Sequence, residues 1–333
     1  MSYRNNMNIV YVATDSYLSM LGISMYSLLE NTHNIAELKI NVLSPDFSEK
    51  SKKILTDMCE TYKVDINFYS LKDFEKSFGF TLNTAGFHPV IVARLLLTDF
   101  LPIDMNKVLY LDCDVIINGD ISELDRIELP DNIAFAAVPE LAMPPAQKKN
   151  IGLNVDEQYF NSGVLLINLD YWRKHNLKDQ FINYYASANG KLMYADQDIL
   201  NHCCKGHIRP LSHRYNLAPM LKYFPRFFIK SYQPAYYCKD KEEYKDILKN
   251  PSIIHFLGDE RPWMRGNYNP YRKEYEYYKK KSLWKNEALI PGKEIYLWCY
   301  HMLNYITSIC PWFRKAFTRC IGIRYYKMIG KKQ

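Results

Sequence analysis

Short apolar segments alternate with amphipathic ones along the first hundred residues of the chain. Residues 7–14, 38–44 and 64–70 are rich in β-branched and aromatic side chains, and the last of these segments alternates with period two, as strands do. Residues 18–31 place apolar side chains at helical spacing, and residues 48–62 begin at a serine suited to cap a helix. The alternation predicts an α/β fold with a Rossmann-like, mixed but mostly parallel sheet and helices on both faces.

The same pattern continues as far as residue 265. The remaining predicted elements are an apolar helix over 88–102, strands over 107–119, 159–173 and 252–258, and a helix over 194–204. No internal repeat or low-complexity linker separates them. We therefore expect one domain over residues 1–265 and a helical, basic extension over residues 266–333.

Two carboxylates interrupt one of these strands. The stretch "KVLYLDCDVIING" (107–119) contains Asp112 and Asp114 within an otherwise apolar run. Side chains two positions apart on a strand share a face, so the pair is expected to project together from the carboxyl end of the strand. The alternative is a strand that ends at Asp112 and leaves both acids in solvent, but apolar residues resume directly after Asp114. Close carboxylates in apolar surroundings need a cation, and Mg²⁺ or Mn²⁺ would also bind phosphate oxygens at this sheet edge.

Composition and charge narrow the class of protein. The 48% hydrophobic content is that of a globular protein, and the eight cysteines form no CxxC pair or zinc-like spacing. The net charge is +7, and seven lysines and arginines after Glu294 account for all of it. Residues 1–294 therefore carry no net charge and offer little attraction for a nucleic-acid backbone, so no nucleic acid is expected as a partner. The first residues lack the pattern of a signal peptide, which favours a cytoplasmic location.

Two chemistries use an apolar strand that ends in a DxD motif. In aspartyl-nucleophile phosphatases the motif opens the domain, and "GDE" (258–260) could imitate their later acids. In nucleotide-sugar transferases a metal bound by DxD holds the diphosphate leaving group, and a nucleotide-binding βα unit precedes the motif. Three predicted strands precede it here, and the glycine-rich GxGxxG and GxxxxGK[ST] phosphate motifs are absent from the sequence, so the order of the elements favours a transferase. A non-catalytic protein that binds sugar or membrane is the third alternative.

Four ordered motifs carry a resemblance to a known family. The stretches "KVLYLDCDVIINGDISEL", "YFNSGVLLINL", "DQDILN" and "HFLGDERPW" resemble glycosyltransferase family 8, which includes lipopolysaccharide α-galactosyltransferases, general stress protein A-like enzymes and glycogenin. The resemblance covers residues 7–265. It implies a GT-A fold and Mn²⁺-dependent transfer of a hexose, galactose or glucose, from a UDP-sugar donor to a saccharide, glycolipid or glycoprotein acceptor, with retention of anomeric configuration.

The resemblance also implies roles for individual residues. Asp112, Asp114 and His255 match the metal ligands, although a lone histidine in "IIHFLG" would otherwise be read as a core residue. Asp196 and Gln197 match the residues beside the anomeric carbon, and Asp198 is expected to cap its helix. Arg94, whose alternative role is an ion pair with Asp99 or another acid, matches an arginine that reaches the donor, and Arg261 stands where relatives carry a lysine. The residues expected to bind the donor or its metal are Ala13, Thr14, Tyr17, Arg94, Asp112, Cys113, Asp114, Asn161, Ser162, His255, Gly258 and Arg261.

The extension contains an uncharged aromatic segment followed by basic residues. Residues 295–313 are long enough to cross a membrane, but polar side chains and Pro311 interrupt them and the aromatics are not gathered at two ends. An aromatic segment joined to a cationic one is suited to the surface of an anionic membrane, which favours peripheral attachment at the inner face of the cell membrane. The alternative is a helix packed on the domain with a disordered basic end.

Overall fold

The structure is a computed structural model. It describes residues 7–32, 38–84, 86, 88–140, 143–189, 192–232, 240–310 and 312–313. The basic residues 314–332, on which the predicted membrane contact partly depends, lie outside the described residues.

Nine strands are described, and they form two sheets. In chain order they are β1 (Met7–Val12), β2 (Leu38–Ser44), β3 (Asp65–Ser70), β4 (Lys107–Leu111), β5 (Val115–Ile117), β6 (Phe135–Pro139), β7 (Phe160–Asn168), β8 (Ile208–Pro210) and β9 (Ile253–His255). The larger sheet has the order β3-β2-β1-β4-β7-β6-β8, and the smaller one pairs β5 with β9. Among the strands of the larger sheet only β7 is antiparallel to its neighbours, as expected for a mixed, mostly parallel sheet.

The helices of the described chain follow the strands on both sides of the larger sheet. They are α1 (Leu18–Asn31), α2 (Glu49–Thr61), α3 (Leu97–Phe100), α4 (Ser122–Asp125), α5 (Pro145–Asn150), α6 (Leu169–Lys174), α7 (Leu177–Ala188), α8 (Ala195–Cys203), α9 (Arg226–Tyr232), α10 (Lys241–Lys249), α11 (Arg272–Lys281) and α12 (Glu294–Ile309). Helix α2 begins as predicted, because the side chain of Ser48 accepts a hydrogen bond from the backbone N–H of Ser51 at 3.2 Å.

Alternate residues of the same strand supply two separate cores. Ile9 and Tyr11 of β1 pack in the core that contains the apolar face of α1, whereas Val10 and Val12 pack with Leu95 on the opposite side of the sheet. The period of two in a strand places successive side chains on opposite faces, so a strand buried on both faces becomes apolar throughout. This arrangement confirms the prediction of a sheet covered on both sides.

Three predicted elements differ from the structure. The apolar stretch 88–102 is a 3₁₀ helix over Pro89–Leu96 followed by the single turn of α3. The predicted strand over 159–173 ends at Asn168, whose side chain accepts a hydrogen bond from the backbone N–H of Tyr171 at 3.0 Å and so starts α6. The third difference is at the paired carboxylates, where the predicted strand is two strands in different sheets.

Several described residues beyond 265 pack against the core. Three tyrosines of α11 and the turn before it, Tyr271, Tyr275 and Tyr278, are buried in the same core as α1. The next helix, α12, buries Leu297 and Asn304 but exposes much of its apolar surface. Within the described parts of the chain, none of the helices combines the length and the apolar character needed to cross a membrane.

Candidate active site

Asp112 and Asp114 lie in the turn that joins the two sheets. Strand β4 ends at Leu111, and β5 begins at Val115 in the smaller sheet, so the expectation that both carboxylates share one face of a strand is wrong. The turn is nevertheless fixed on both sides. The backbone N–H of Asp112 donates to the carbonyl of Gly163 at 2.8 Å, and the carbonyl of Asp114 accepts from the N–H of Phe256 at 2.9 Å. One backbone hydrogen bond to β7 and one to the residue directly after β9 therefore hold the two side chains close together.

The two carboxylates and His255 form a cluster suited to a metal ion. One potential ligand atom from each of the three lies within 4.8 Å of the others. The Nε2 atom of His255 is 3.0 Å from Asp114 Oδ1 and 3.8 Å from Asp112 Oδ2. On its other side, His255 Nδ1 lies 2.9 Å from Asn216 Oδ1, an acceptor, so a neutral His255 with its proton on Nδ1 would offer the Nε2 lone pair to a cation.

The electrostatics of this cluster agree with a cation site. Burial opposes ionisation of Asp114, but the nearby imidazole of His255 and guanidinium of Arg261 hold the pKa of that carboxyl below its ordinary value. Burial alone would lower the pKa of His255, and the Asp114 carboxylate raises it instead. Buried negative charge thus attracts a proton to the position that a divalent cation would take. Two carboxylates and one imidazole fit such an ion.

Arg94 joins this cluster to the start of α8. Its side chain is buried, with Nη2 at 2.8 Å from Asp112 Oδ1 and Nε at 3.0 Å from Asp196 Oδ2. It also donates from Nη1 to the carbonyl of Ser162 at 2.7 Å. Burial alone would lower the pKa of Arg94, but the two carboxylates raise it, so the side chain stays charged. Of the alternative, an ion pair with Asp99 or another acid, only the second part holds: Asp99 pairs with Lys178 at 3.1 Å on the surface, while Arg94 pairs with the two acids of the site.

The first turn of α8 places two further predicted residues beside β7. Asp196 Oδ2 accepts a hydrogen bond from Ser162 Oγ at 3.3 Å, and burial raises the pKa of Asp196 to about 6 despite the nearby Arg94. Gln197 Oε1 accepts from the backbone N–H of Ser162 at 2.9 Å. Its Nε2 donates to Glu140 Oε2 at 3.4 Å, and Asn161 Nδ2 donates to the same oxygen at 2.8 Å.

The prediction that Asp198 caps α8 needs one correction. Tyr194 occupies the N-cap position, so Asp198 is not the capping residue itself. Its carboxylate instead accepts hydrogen bonds from the backbone N–H groups of Met193 at 2.9 Å and Tyr194 at 3.0 Å, and from the hydroxyl of Tyr159 at 2.7 Å. Asp198 therefore fixes the residues that precede α8, and both of its carboxylate oxygens are engaged in these hydrogen bonds.

The predicted site residues line one cavity of about 490 Å³. Its wall includes the turn after β1, the DxD turn, the start of β7, the start of α8 and the loop after β9. The predicted residues that line it are Ala13, Thr14, Tyr17, Arg94, Asp112, Cys113, Asp114, Asn161, Ser162, Asp196, Gln197, His255, Gly258 and Arg261. The individual roles assigned to these residues remain predictions, but the structure does bring all of them to one cavity.

Several residues of the site were missed by the sequence analysis. Asn216 joins two parts of the site, since it also donates from Nδ2 to Asn161 Oδ1 at 2.8 Å. The Tyr110 hydroxyl donates to Asp112 Oδ1 at 2.8 Å, and Glu140 accepts from two amides. The contact of Tyr110 could have been predicted from the sequence, because this residue lies only two positions before Asp112. Nothing in the sequence around Glu140 or Asn216 indicates their contacts.

A comparison with protein families identifies this arrangement. The model of the family described as glycosyl transferase family 8 matches residues 8–266. The chain belongs to glycosyl transferase family 8. Membership confirms the resemblance read from the four motifs and decides against the phosphatase. It also establishes the chain as a glycosyltransferase, in a family that uses a nucleotide-sugar donor and a divalent metal.

Individual relatives agree with the family assignment. General stress protein A of Bacillus subtilis (strain 168) is 27% identical over 283 residues, which cover 84% of this chain and 94% of the relative. The lipopolysaccharide 1,2-glucosyltransferase of Escherichia coli (strain K12) is 26% identical over 295 residues, which cover 87% of this chain and 82% of the relative. The crystal structure of galactosyltransferase LgtC with donor and acceptor sugar analogues superposes with a TM-score of 0.70 at 26% identity, and the match covers 83% of this chain and 96% of LgtC. The likeness confirms the GT-A fold.

Proposed function

We propose that this family 8 enzyme transfers a hexose, galactose or glucose, from a UDP-sugar to a saccharide acceptor on a glycolipid or other cell-surface glycan, with retention and with Mn²⁺ as its metal. The observation that carries the proposal is the cavity itself. In it, the side chain of Arg94 joins the cluster of two carboxylates and one imidazole to Asp196, and Gln197 lines the same cavity. Lipopolysaccharide glycosyltransferases among the relatives support a lipopolysaccharide-like acceptor.

The three ligand side chains favour Mn²⁺ over Mg²⁺. Carboxylate oxygens suit both ions, whereas Mg²⁺ is usually bound by oxygen atoms alone and the imidazole of His255 is a nitrogen ligand. A divalent cation held by Asp112, Asp114 and His255 would neutralise the charge that builds up on the departing diphosphate.

The residues of the chain have separate parts in the transfer. Arg94 holds Asp196 and the carbonyl of Ser162 in fixed positions, so that the Asp196 carboxylate can bind hydroxyls of the donor sugar. Gln197 is held at Ser162 and lies where positive charge develops at the anomeric carbon. The bond from the anomeric carbon to the diphosphate breaks, and the acceptor oxygen bonds to that carbon from the same face. The acceptor proton passes to the leaving phosphate.

The test is turnover of a panel of UDP-sugars with purified enzyme. With Mn²⁺ the wild type should release UDP slowly by hydrolysis and faster with an acceptor, and EDTA should stop both reactions. Asp112→Asn removes one ligand charge at nearly constant shape and should abolish metal-dependent turnover. Asp99→Asn is the matched control, because its carboxylate pairs with Lys178 on the surface, away from the cavity. Wild-type turnover that persists in EDTA, or an Asp112→Asn variant as active as the control, would contradict the proposal.

A second proposal concerns α12 and the cytoplasmic face of the membrane. The helix exposes Ile295, Trp298, Met302 and Ile309, whose side chains are 82%, 56%, 40% and 74% exposed. Seven basic residues follow this helix in the sequence. An apolar helix face that positive charge follows in the sequence matches an anionic lipid surface, and membrane-embedded acceptors would make attachment there useful. We therefore propose a cytoplasmic enzyme bound peripherally to the inner membrane surface.

Sedimentation with lipid vesicles tests this second proposal. The full-length enzyme should bind phosphatidylglycerol vesicles more strongly than phosphatidylcholine vesicles, and high salt should weaken the binding. The double variant Trp298→Ser with Ile309→Ser should lose most of it. Ile103→Ser, at a position 80% exposed outside α12, is the control for loss of an exposed apolar side chain. Equal binding to both vesicle types, or an unchanged double variant, would contradict the proposal.

A further inference from the structure

Helix α12 contacts the loop that follows the metal-ligand strand. This loop, residues 257–261, comes directly after Phe256 and lines the cavity with all five of its residues, and Tyr300 of α12 lines the same cavity. Gly258 has a φ of +56°, and an added side chain there would meet no atom within 4 Å. The space beside Gly258 is therefore open to a ligand, and the contacts of α12 with this loop bear on where the loop lies.

Two tyrosines of α12 donate hydrogen bonds to acidic side chains of this loop. The hydroxyl of Tyr296 donates to Asp259 Oδ2 at 2.7 Å, and that of Tyr300 donates to Glu260 Oε1 at 2.9 Å. The two residues are one helical turn apart, so both hydroxyls project from the same face of α12. Hydrogen bonds to carboxylates are stronger than those between neutral groups, which makes these two contacts suited to fixing a loop.

A second layer fixes the backbone of the same loop. Asn267 Nδ2 donates to the carbonyl of Asp259 at 2.7 Å, and Asn269 Nδ2 donates to the carbonyl of Glu260 at 2.7 Å. The oxygen of Asn267 is in turn 3.0 Å from Nε2 of His301, again a residue of α12. Helix α12 thus reaches the loop directly through its tyrosines and indirectly through this asparagine.

The loop also presents a cation to the metal cluster. Burial raises the pKa of Asp114, but the imidazole of His255 and the positive charge of Arg261 together hold it low. Its Nε atom is buried and has no hydrogen-bond partner among the described residues. A buried donor without a partner costs free energy unless a ligand binds it, and a phosphate oxygen is a suitable acceptor. The position of the loop therefore decides where this donor points.

We propose that Tyr296 and Tyr300 are positioning residues that hold the 257–261 loop where it binds the diphosphate of the donor. The inference rests on the proposed function, because it takes a nucleoside diphosphate as the ligand of this loop. It assigns to α12, a helix outside the matched family region of residues 8–266, a part in donor binding. Since the diphosphate is bound before and during the reaction alike, loss of these contacts should raise KM for the donor and leave kcat nearly unchanged.

The experiment compares Tyr296→Phe and Tyr300→Phe, alone and together, with the wild type. Each substitution keeps the ring and removes one hydroxyl. The measurements are KM and kcat for UDP-sugar hydrolysis, the Kd of UDP in the presence of Mn²⁺ by calorimetry, and the midpoint of thermal unfolding. The control is Tyr277→Phe, because the hydroxyl of Tyr277 also binds a charged group, Lys281 Nζ at 2.6 Å, but on the exposed surface of α11.

Each hydroxyl removal should raise KM and the Kd of UDP by about threefold to tenfold, and the double variant by more. In a background of Asp259→Ala, Tyr296→Phe should add no further loss, because its partner is already gone. Values equal to those of Tyr277→Phe, or a lower kcat with unchanged KM, would overturn the inference. A wild type that neither hydrolyses a UDP-sugar nor binds UDP with Mn²⁺ would instead refute the proposed function and remove the premise.

Discussion

Gly163 is expected to be required for tight metal binding, although it offers no side chain to the ion. An added Cβ at this position of β7 would lie 2.0 Å from Cε1, 2.6 Å from Nδ1 and 2.9 Å from Nε2 of His255. Ordinary van der Waals contact begins near 3.4 Å, so the ring of His255 would have to withdraw by roughly 1.4 Å in Gly163→Ala. The ring cannot simply rotate away, because it is buried and Nδ1 is bound to Asn216.

A displacement of this size removes the imidazole from the metal. Metal–ligand distances are tolerated within about 0.2 Å, and disturbing even an outer-shell partner of a ligand commonly costs about 10-fold to 100-fold in metal affinity. We expect Gly163→Ala to weaken Mn²⁺ binding by at least this factor, which is about 1.4–2.7 kcal/mol. Overpacking should also lower the free energy of unfolding by about 1–3 kcal/mol.

The assay is titration of Mn²⁺ into the purified protein with bound ion followed by electron paramagnetic resonance, alongside urea unfolding. Gly119→Ala is the matched control, because an added Cβ there meets its nearest atom, the Cα of Ser252, at 3.6 Å and requires no movement. Both variants should keep the circular dichroism of the wild type. A Gly163→Ala protein that binds Mn²⁺ as tightly as the Gly119→Ala protein would refute the reasoning.

Three further predictions test other contacts. Arg94→Lys cannot span both carboxylates and the Ser162 carbonyl, so kcat/KM for a UDP-sugar should fall by about 10-fold to 100-fold; activity within twofold of the wild type would contradict this. Gly22→Ala should lower the free energy of unfolding in urea by about 1–3 kcal/mol, because its Cβ would lie 1.8 Å from the Trp284 ring, and this loss should shrink in a Trp284→Leu background. Burial lowers the pKa of His301 to about 4 in the folded protein. Between about pH 6.5 and pH 4 the imidazole is therefore protonated in the unfolded chain but neutral in the folded one. Stability should therefore fall as the pH drops from 6.5 towards 4, and His301→Gln should flatten that part of the pH profile of the unfolding midpoint; identical profiles would exclude His301 as the cause.

The sequence predicted the elements whose pattern is local. The alternation of apolar strands with amphipathic helices, and the cap at Ser48, depend on side chains near one another in the chain, and the structure confirms both. The stretch Pro89–Leu96 is apolar on most sides, so its sequence carries too little periodicity to separate a 3₁₀ helix from an α-helix. The break between β4 and β5 was missed because "VII" after Asp114 reads as the same strand continued.

In the candidate site, too, the residues that could be predicted are those with a local sequence pattern. Asp112, Asp114 and His255 could be named because short motifs surround them, and the structure brings them together. Asn216 and Glu140 could not, because each is a lone polar residue whose partners lie many residues away in the chain. Such contacts arise only when strands and helices have packed, and one sequence alone does not record them.

The DxD turn has a mechanical consequence. Within three residues the chain leaves the seven-stranded sheet and enters the two-stranded one, and His255 reaches the turn from the second of these sheets. A cation bound by Asp112, Asp114 and His255 would therefore add a further link between the two sheets where they meet, in addition to its part in the chemistry. Chelation should accordingly speed amide hydrogen exchange in β5 and β9 well before it affects β1 at the centre of the larger sheet.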